Sequence, residues 1–429
     1  MRKRVMSIGF ALAVLAFVSA YGSSSNSAAS SGPGGGAPSG KVTVLWSTGV
    51  TAGLDADITN FEKAYPNIHV AVESVPITAF SQTLLPRIRA GNPPDLFNVE
   101  EANSGGFGVW PFAQQNDLAD LSGSPWAKGL AADIKPYVSL KGRVYGAPLG
   151  FNVVGIFANS EVFKSLSLKT PSSVADLLTT CKKLAAAGKI PIAWNGPLIA
   201  PATALAGFAG TLVLGSDPNW AAQRTAHRVT FANSPLWRSV FQLWQEMKAA
   251  NCFSPGALGT SAADANRQFA TGQAAMMFGA GENYPALIAI NPRLHAEMIN
   301  YPYEVRSQRG MAYDGVDLAM ARNAPNPNAT KLFLNYMEQP HPNAVYNALS
   351  DSISTADFAN RVFPPQFKAA LVDSAYRTFP NAAATVLTGA VNGAAINGEV
   401  GLLDGTAKSI ESILRQMDRA WGDQAAGPS

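Results

Sequence analysis

The strongest constraint on this chain is a regular alternation, from Lys41 onward, of short β-branched runs and amphipathic stretches. Val42-Thr43-Val44-Leu45-Trp46 has the composition of a buried strand. Leu54, Ile58, Phe61 and Tyr65 follow at spacings that place them on one face of a helix. Pro66-Asn67 stops that helix, and Ile68 to Val72 alternates as a second strand. A helix over Phe80 to Ala90 ends at Gly91, and Asp95 to Val99 reads as a third strand. Strand, helix, strand, helix, strand predicts an α/β layer on a mostly parallel sheet, with ligands bound beyond the C-terminal strand ends. The second half repeats the logic. Thr170 offers an N-cap with Pro171 at the first helical position, and Val174, Leu177, Leu178, Cys181 and Leu184 form the apolar face. Gly188 closes this helix before the strand Ile190 to Trp194. Further helices centre on Leu243–Lys248, Ala329–Met337 and Ile410–Trp421.

At 429 residues the chain is long enough for two hydrophobic cores. With 47% hydrophobic and 14% charged residues it is globular in composition, not disordered. Its formal charge of +3 comes from Arg2, Lys3 and Arg4, which precede an apolar run from Ile8 to Val18 and the small residues Ser19 and Ala20. That order is the pattern of a secretory signal, and the run is shorter than the roughly 20 residues a bilayer span needs. Residues 1–20 are therefore expected to be removed, leaving 29 basic against 29 acidic residues and no electrostatic case for nucleic acid. Residues 21–40 are almost all Ser, Gly, Ala, Pro and Asn and read as a flexible tether. Val18-Ser19-Ala20-Tyr21 is similar to a lipoprotein signal with Tyr21 where the lipid-bearing cysteine would stand. Cleavage to a free soluble form and descent from an anchored ancestor both fit, so the expected location is extracellular, cell-surface associated or periplasmic.

Cys181 and Cys252 are the only cysteines. An even pair in an oxidising compartment is expected to form a disulfide, with two separate buried thiols as the alternative. His69, His227, His295 and His341 are scattered without metal-ligand spacing, so neither a metal nor another cofactor is expected.

Several segments, in order, resemble the extracellular solute-binding proteins that serve sugar importers, the group of the maltodextrin-binding proteins. They are Phe61-Glu62-Lys63-Ala64-Tyr65-Pro66-Asn67-Ile68-His69-Val70, Ala90-Gly91-Asn92-Pro93-Pro94-Asp95-Leu96, Gly142-Arg143-Val144-Tyr145-Gly146-Ala147-Pro148, Phe157-Ala158-Asn159-Ser160-Glu161-Val162-Phe163, Thr170-Pro171-Ser172-Ser173 with Leu177-Leu178 and Ala187-Gly188-Lys189-Ile190-Pro191-Ile192, and Phe269-Ala270-Thr271-Gly272-Gln273-Ala274-Ala275-Met276. The resemblance implies a two-lobed α/β periplasmic-binding fold with discontinuous lobes that close like a flytrap. It places residues 41–149 and 300–349 in the first lobe and 150–299 and 350–429 in the second, with crossings near Gly150, Asn300 and Ser350. It also implies a sugar ligand, a monomeric receptor and the membrane subunits of an ABC importer as partners.

Sugars present hydroxyls that need fixed donors and acceptors, and C–H faces that pack on aromatic rings. At strand exits and at positions matching the family, the candidates are Trp46, Glu100, Glu101, Asn103, Phe151, Asn152, Trp194, Asn195, Glu282, Asn283, Tyr313 and Asp314. Trp46 and Trp194 are read as stacking platforms, against the competing reading of core tryptophans. Ala102 stands where maltodextrin-type relatives carry an acid, which argues against maltose. An enzyme is not expected. Glu100 and Glu101 are adjacent and point to opposite faces of an extended chain, unlike a glycosidase pair. No nucleophile elbow or phosphate loop is present either. The alternatives carried forward are a non-sugar solute in the same fold, and a secreted carbohydrate-active or adhesion protein.

Overall fold

The computed structural model describes residues 38–422, except for 48–50, 104–106, 132–133, 197–198, 303–310, 315–316, 351, 355–356, 358–363, 368–378, 381–385 and 388. The expected export signal, Tyr21 and nearly all of the expected tether lie outside the described residues. The first strand already includes Gly40, the last residue assigned to the tether.

The chain opens with β1 (Gly40–Ser47), α1 (Thr51–Ala64), β2 (Ile68–Val75), α2 (Ile77–Arg89), β3 (Leu96–Val99) and α3 (Val109–Gln114). A small hairpin of β4 (Ser139–Leu140) and β5 (Arg143–Val144) precedes β6 (Gly146–Pro148). Next come β7 (Phe151–Asn159), α4 (Ser160–Ser165), α5 (Val174–Ala186), β8 (Ile190–Ala193), α6 (Ile199–Phe208), α7 (Trp220–Thr225) and α8 (Pro235–Ala249). Then α9 (Ala262–Ala270), β9 (Ala274–Ala280), α10 (Tyr284–Ile290), β10 (Ala296–Ile299), β11 (Met311–Asp314) and β12 (Asp317–Met320) follow. The last elements are α11 (Pro327–Met337), α12 (Pro340–Ser350), β13 (Phe379–Pro380), α13 (Gly389–Asp404) and α14 (Ile410–Gly422).

These strands build two sheets, and each sheet organises one lobe. The first has the order β2-β1-β3-β12-β6, with β1 parallel to β2 and β3 and with β12 antiparallel to β3 and β6. The second has the order β13-β11-β7-β9-β8, with β10 also pairing with β7. Strand β7 lies at its centre and is buried along all nine residues, as a strand covered on both faces must be. One core takes its residues from 42–149 and 318–346, and a second from 154–301 and 386–417. A third cluster lies under the crossing, where Ile134 joins Phe151, Val153, Ile353 and Phe367.

The chain passes between the sheets at Leu149-Gly150, where β6 ends and β7 begins. The return expected near Asn300 lies elsewhere. β10 and β11 still pair with β7, and only β12, beginning at Asp317, joins the first sheet. The return therefore comes after β11 ends at Asp314 and before β12 begins at Asp317, because positions along β7 remain for two more antiparallel strands. A further passage follows α12, where Ile353 bridges to Phe151. The helix expected to start after Thr170 begins later, at Val174. Ser173 is the cap, its hydroxyl accepting from the Asp176 amide at 3.1 Å.

Asp95 shows how one sequence motif becomes a joint. Its buried carboxylate accepts from the Thr43 amide and hydroxyl at 2.9 and 2.7 Å and from the Asn326 amide at 2.7 Å. It thereby ties β1, the entry to β3 and the start of α11 together, with each charge-assisted bond stronger than a neutral one.

Cys181 on α5 and Cys252 after α8 form a disulfide inside the second core, with a sequence separation of 71. Closing a loop of that length restricts the unfolded chain by roughly 4 kcal/mol. The double Cys→Ala variant is expected to lose about that much stability in urea titrations, and wild type under reducing conditions should approach it.

Asp57 on α1 is fully buried, and neither carboxylate oxygen has a hydrogen-bond partner. Burial raises its pKa from 3.8 to about 7. Between pH about 4 and about 7 the folded state therefore holds a proton that the unfolded state has released, so this group makes stability fall as pH rises through that window. Asp57→Asn should flatten that slope and raise the melting temperature at pH 8, read by thermal denaturation across pH 4 to 8.

Candidate solute-binding cleft

Two edges, one from each sheet, meet at the crossing. On the first lobe these are the C-terminal ends of β1, β3 and β6 and the N-terminal end of β12, since Asp317 pairs with Val99 and Pro148. On the second lobe they are the start of β7, the ends of β9 and β11, and the end of β8. Val154 pairs with Ala280, Phe151 with Asp314, and Ala193 with Met277. Only two residues separate β6 from β7, and only two separate β11 from β12, so the two edges are held against each other.

The second-lobe edge gathers most of the expected residues. Asn152 donates through Nδ2 to Glu282 Oε2 at 2.8 Å, joining positions 130 apart in sequence. A carboxylate can only accept here, so the amide orientation is fixed and Asn152 Oδ1 is the acceptor left buried without a donor. Asn195 follows β8, is almost wholly buried, and its Oδ1 likewise has no partner. Register places Tyr313 opposite Asn152 and Asp314 opposite Phe151 on the same edge. Asn283 serves the backbone instead, since its Oδ1 accepts from the Ala280 amide at 2.9 Å and fixes the turn that presents Glu282.

On the first-lobe edge Glu100 and Asn103 are half-buried and Glu101 is buried. Glu100 takes part in a bridge to Gly108, its amide donating to Phe107 O at 3.2 Å and its carbonyl accepting from Val109 at 2.9 Å. Ala102 adopts a left-handed backbone, φ 50°, held by its amide donating to Tyr137 O at 2.8 Å. A side chain there faces the strain that disfavours this region for residues other than glycine, about 1–2 kcal/mol. The position is therefore a turn before it is a ligand contact.

The aromatic assignments need correction. Trp46 is fully buried in the first core, edge-on to Tyr346 with ring centroids 6.4 Å apart. Trp194 is 1% exposed and packs edge-to-face on Trp244 and Phe253. Phe151 is equally buried in the cluster beneath the crossing. None of the three presents a free face, because each strand end turns its large apolar residue into the layer of helices behind it. The half-buried rings at these edges are Tyr137 and Tyr284, the latter stacked on Phe157 at an interplanar angle of 22°. Tyr284 directly follows the expected Glu282-Asn283 pair, so its position in sequence was a usable signal. Tyr137 had none, since only the Ala102 turn brings it to the edge.

Two polar residues were also missed. Asn98 accepts from the Ser47 amide at 2.7 Å and keeps a buried Nδ2 without an acceptor. Asp317 is fully buried at the start of β12, and the Glu338 carboxyl is held well above the usual carboxylate range, first by burial and then by the Asp317 charge. Among the described residues, no group of three or more His, Cys, Asp or Glu is placed to hold a metal, and no helix is long and apolar enough to cross a membrane.

A profile of the bacterial extracellular solute-binding proteins matches residues 57–370. The chain belongs to that family. It is a binding protein and not an enzyme, and its place is outside the cytoplasm. A multiple sugar-binding protein of Streptococcus mutans is 29% identical over 145 residues, 34% of this chain and 33% of the relative, so the match spans about a third of that protein. Among solved structures, a chitin oligosaccharide binding protein superposes with a TM-score of 0.75 at 18% identity, over 90% of this chain and 98% of its own. The GacH receptor of Streptomyces glaucescens, solved unliganded and with acarbose, gives 0.71 at 17% over 90% and 98%. At such identities the likeness establishes the two-lobed fold.

Different outcomes are expected for the two kinds of candidate. Trp194→Ala should lose about 3–5 kcal/mol in chemical denaturation, as an emptied core position does. Glu282→Ala strands the buried Asn152 amide and should cost about 1–3 kcal/mol, while weakening solute binding measured by titration calorimetry.

Proposed function

We propose that this solute-binding protein captures a neutral carbohydrate between the two sheet edges and delivers it to the membrane subunits of an ABC importer. The observation that carries this reading is the chemistry of the edges. Asn98, Glu100, Glu101, Asn103, Asn152, Asn195, Glu282 and Asp317 supply amides and carboxylates, and no described residue at these strand ends is Lys or Arg. Amides and carboxylates bind hydroxyls as acceptors and donors, while an anionic ligand would meet carboxylates and amides with no described Lys or Arg at these strand ends. Asn152 Oδ1 and Asn98 Nδ2, one lacking a donor and one lacking an acceptor, match the double hydrogen-bonding capacity of a sugar hydroxyl. Tyr284 and Tyr137 take the stacking role first assigned to Trp46 and Trp194. The sugar-binding relative and the oligosaccharide-binding neighbours favour the same ligand class.

In this reading the receptor works as a monomer, with residues 1–20 removed on export and the following segment as a spacer.

A thermal-shift screen of residues 38–429 against mono- to tetrasaccharides tests the proposal. A sugar at a hundred times its dissociation constant adds about 2.7 kcal/mol, which corresponds to several degrees in a lobe of this size. A selective rise with one sugar class is the expected result. A flat response to all sugars with a rise from amino acids, phosphate esters or metal ions would overturn the ligand assignment.

A further inference from the structure

We propose that Asn347 on α12 is a positioning residue that links two of the chain's passages between the lobes into one hinge. The inference extends the reading of the protein as a receptor that closes on its ligand. Asn347 Nδ2 donates to the Leu149 carbonyl at 2.8 Å, and Asn343 Nδ2, one helical turn earlier, donates to the same oxygen at 2.7 Å. Both lone pairs of that carbonyl are thus engaged at the last residue before the chain leaves the first lobe. On its other side Asn347 Oδ1 accepts from the Ser352 hydroxyl at 2.8 Å, and its carbonyl accepts from the Ser352 amide at 3.0 Å. Ser352 belongs to the passage that follows α12. One step further, Phe151 and Ile353 exchange two backbone hydrogen bonds of 2.8 Å each, so the two passages enter the second lobe as a bridged pair.

The orientation of the Asn347 amide is set by chemistry, since a carbonyl can only accept and the nitrogen must face Leu149. Both asparagines are buried, so these bonds are shielded from competing water. Gly150 completes the arrangement. A Cβ at that position would collide with Asn347 Oδ1 and lie 2.8 Å from its Cγ, so the clamp and any side chain at 150 exclude each other. The helix carrying the clamp is itself seated in the first lobe. A Cβ on Gly53 of α1 would lie 2.6 Å from the Tyr346 carbonyl and 2.7 Å from Ser350 Oγ. The first lobe therefore holds both passages at one point, and the rotation of the second lobe falls on Gly150, whose backbone is free to turn.

The test places spin labels, by chemistry that spares the disulfide, at exposed Lys63 on α1 and exposed Lys182 on α5, and measures interlobe distances with and without the sugar found in the screen. Asn347→Ala removes both arms, Asn347→Asp removes the donor to Leu149, and Ser352→Ala removes the hydroxyl of the later passage. Each should broaden the ligand-free distance distribution, and Asn347→Ala should weaken sugar binding about tenfold. Adding Ser352→Ala to Asn347→Ala should change little, because both act through one node. Glu282→Ala, a cleft change, should weaken binding and leave the ligand-free distribution at wild-type width. A wild-type distribution in Asn347→Ala, or additive effects in the double variant, would overturn the proposal. If Asn347→Ala does not fold, Ser352→Ala decides alone: an unbroadened distribution sinks the linked hinge. A screen in which no sugar binds defeats the ligand reading, and the ligand-free distances then decide the hinge by themselves.

Discussion

The short passage from Pro148 to Phe151 governs this molecule. Pro148 ends the edge strand of one sheet, and Phe151 begins the central strand of the other, so two residues fix how the sheets lie. The ends of β1, β3 and β6 must then look across at the ends of β8, β9 and β11. A cleft with polar walls follows from the connectivity, because every loop leaving those ends carries backbone groups and side chains that need partners.

The walls of that cleft combine rigidity with unmet hydrogen bonding. Glu282 is presented by a turn that Asn283 closes, and it in turn orients Asn152. Asn98 is oriented by the end of β1. Each of these amides spends one end on the protein and keeps the other buried without a partner. Such a group costs about 1–3 kcal/mol when left unmet, a cost that a ligand hydroxyl would recover in the receptor proposed above. The aromatic mass behind the walls, from Trp46 on one side to Trp194 on the other, supplies the stiffness that holds the amides in place.

Stiff lobes concentrate motion at the passages between them. The two asparagines of α12 occupy both lone pairs of one carbonyl, and Gly150 has no side chain to obstruct the turn. Two buried acids lie in the same lobe, Asp57 on α1 and Asp317 at the start of β12, the latter acting on half-buried Glu338. Burial disfavours the charged forms of Asp57 and Glu338, so the first lobe carries a protonation-dependent part of its stability close to the helices that seat the hinge.

The alternation of apolar runs determined much by itself. Residues 42–46 and 68–72 lie in the first two strands, and 96–99 of the expected 95–99 form the third, because period and β-branching act within a few residues. Cys181 and Cys252 also find each other in the second core, although only folding brings them together. Polar candidates at strand ends were legible for the same local reason, since a strand exit can be read from where the apolar run stops. Burial of the large rings was not. Trp46, Phe151 and Trp194 stand at strand exits in sequence, yet which face of the exit points inward depends on helices contributed by distant segments. The return to the first lobe comes later than residue 300, after Asp314, for a similar reason: β10 and β11 are short, and their pairing with β7 assigns them to the second sheet. The hinge clamp was invisible as well. Asn343 and Asn347 look like surface residues of an ordinary helix until the fold carries Leu149, nearly two hundred positions away, to their side chains. Sequence determined what is decided over a few residues, and tertiary structure decided what depends on which surfaces meet.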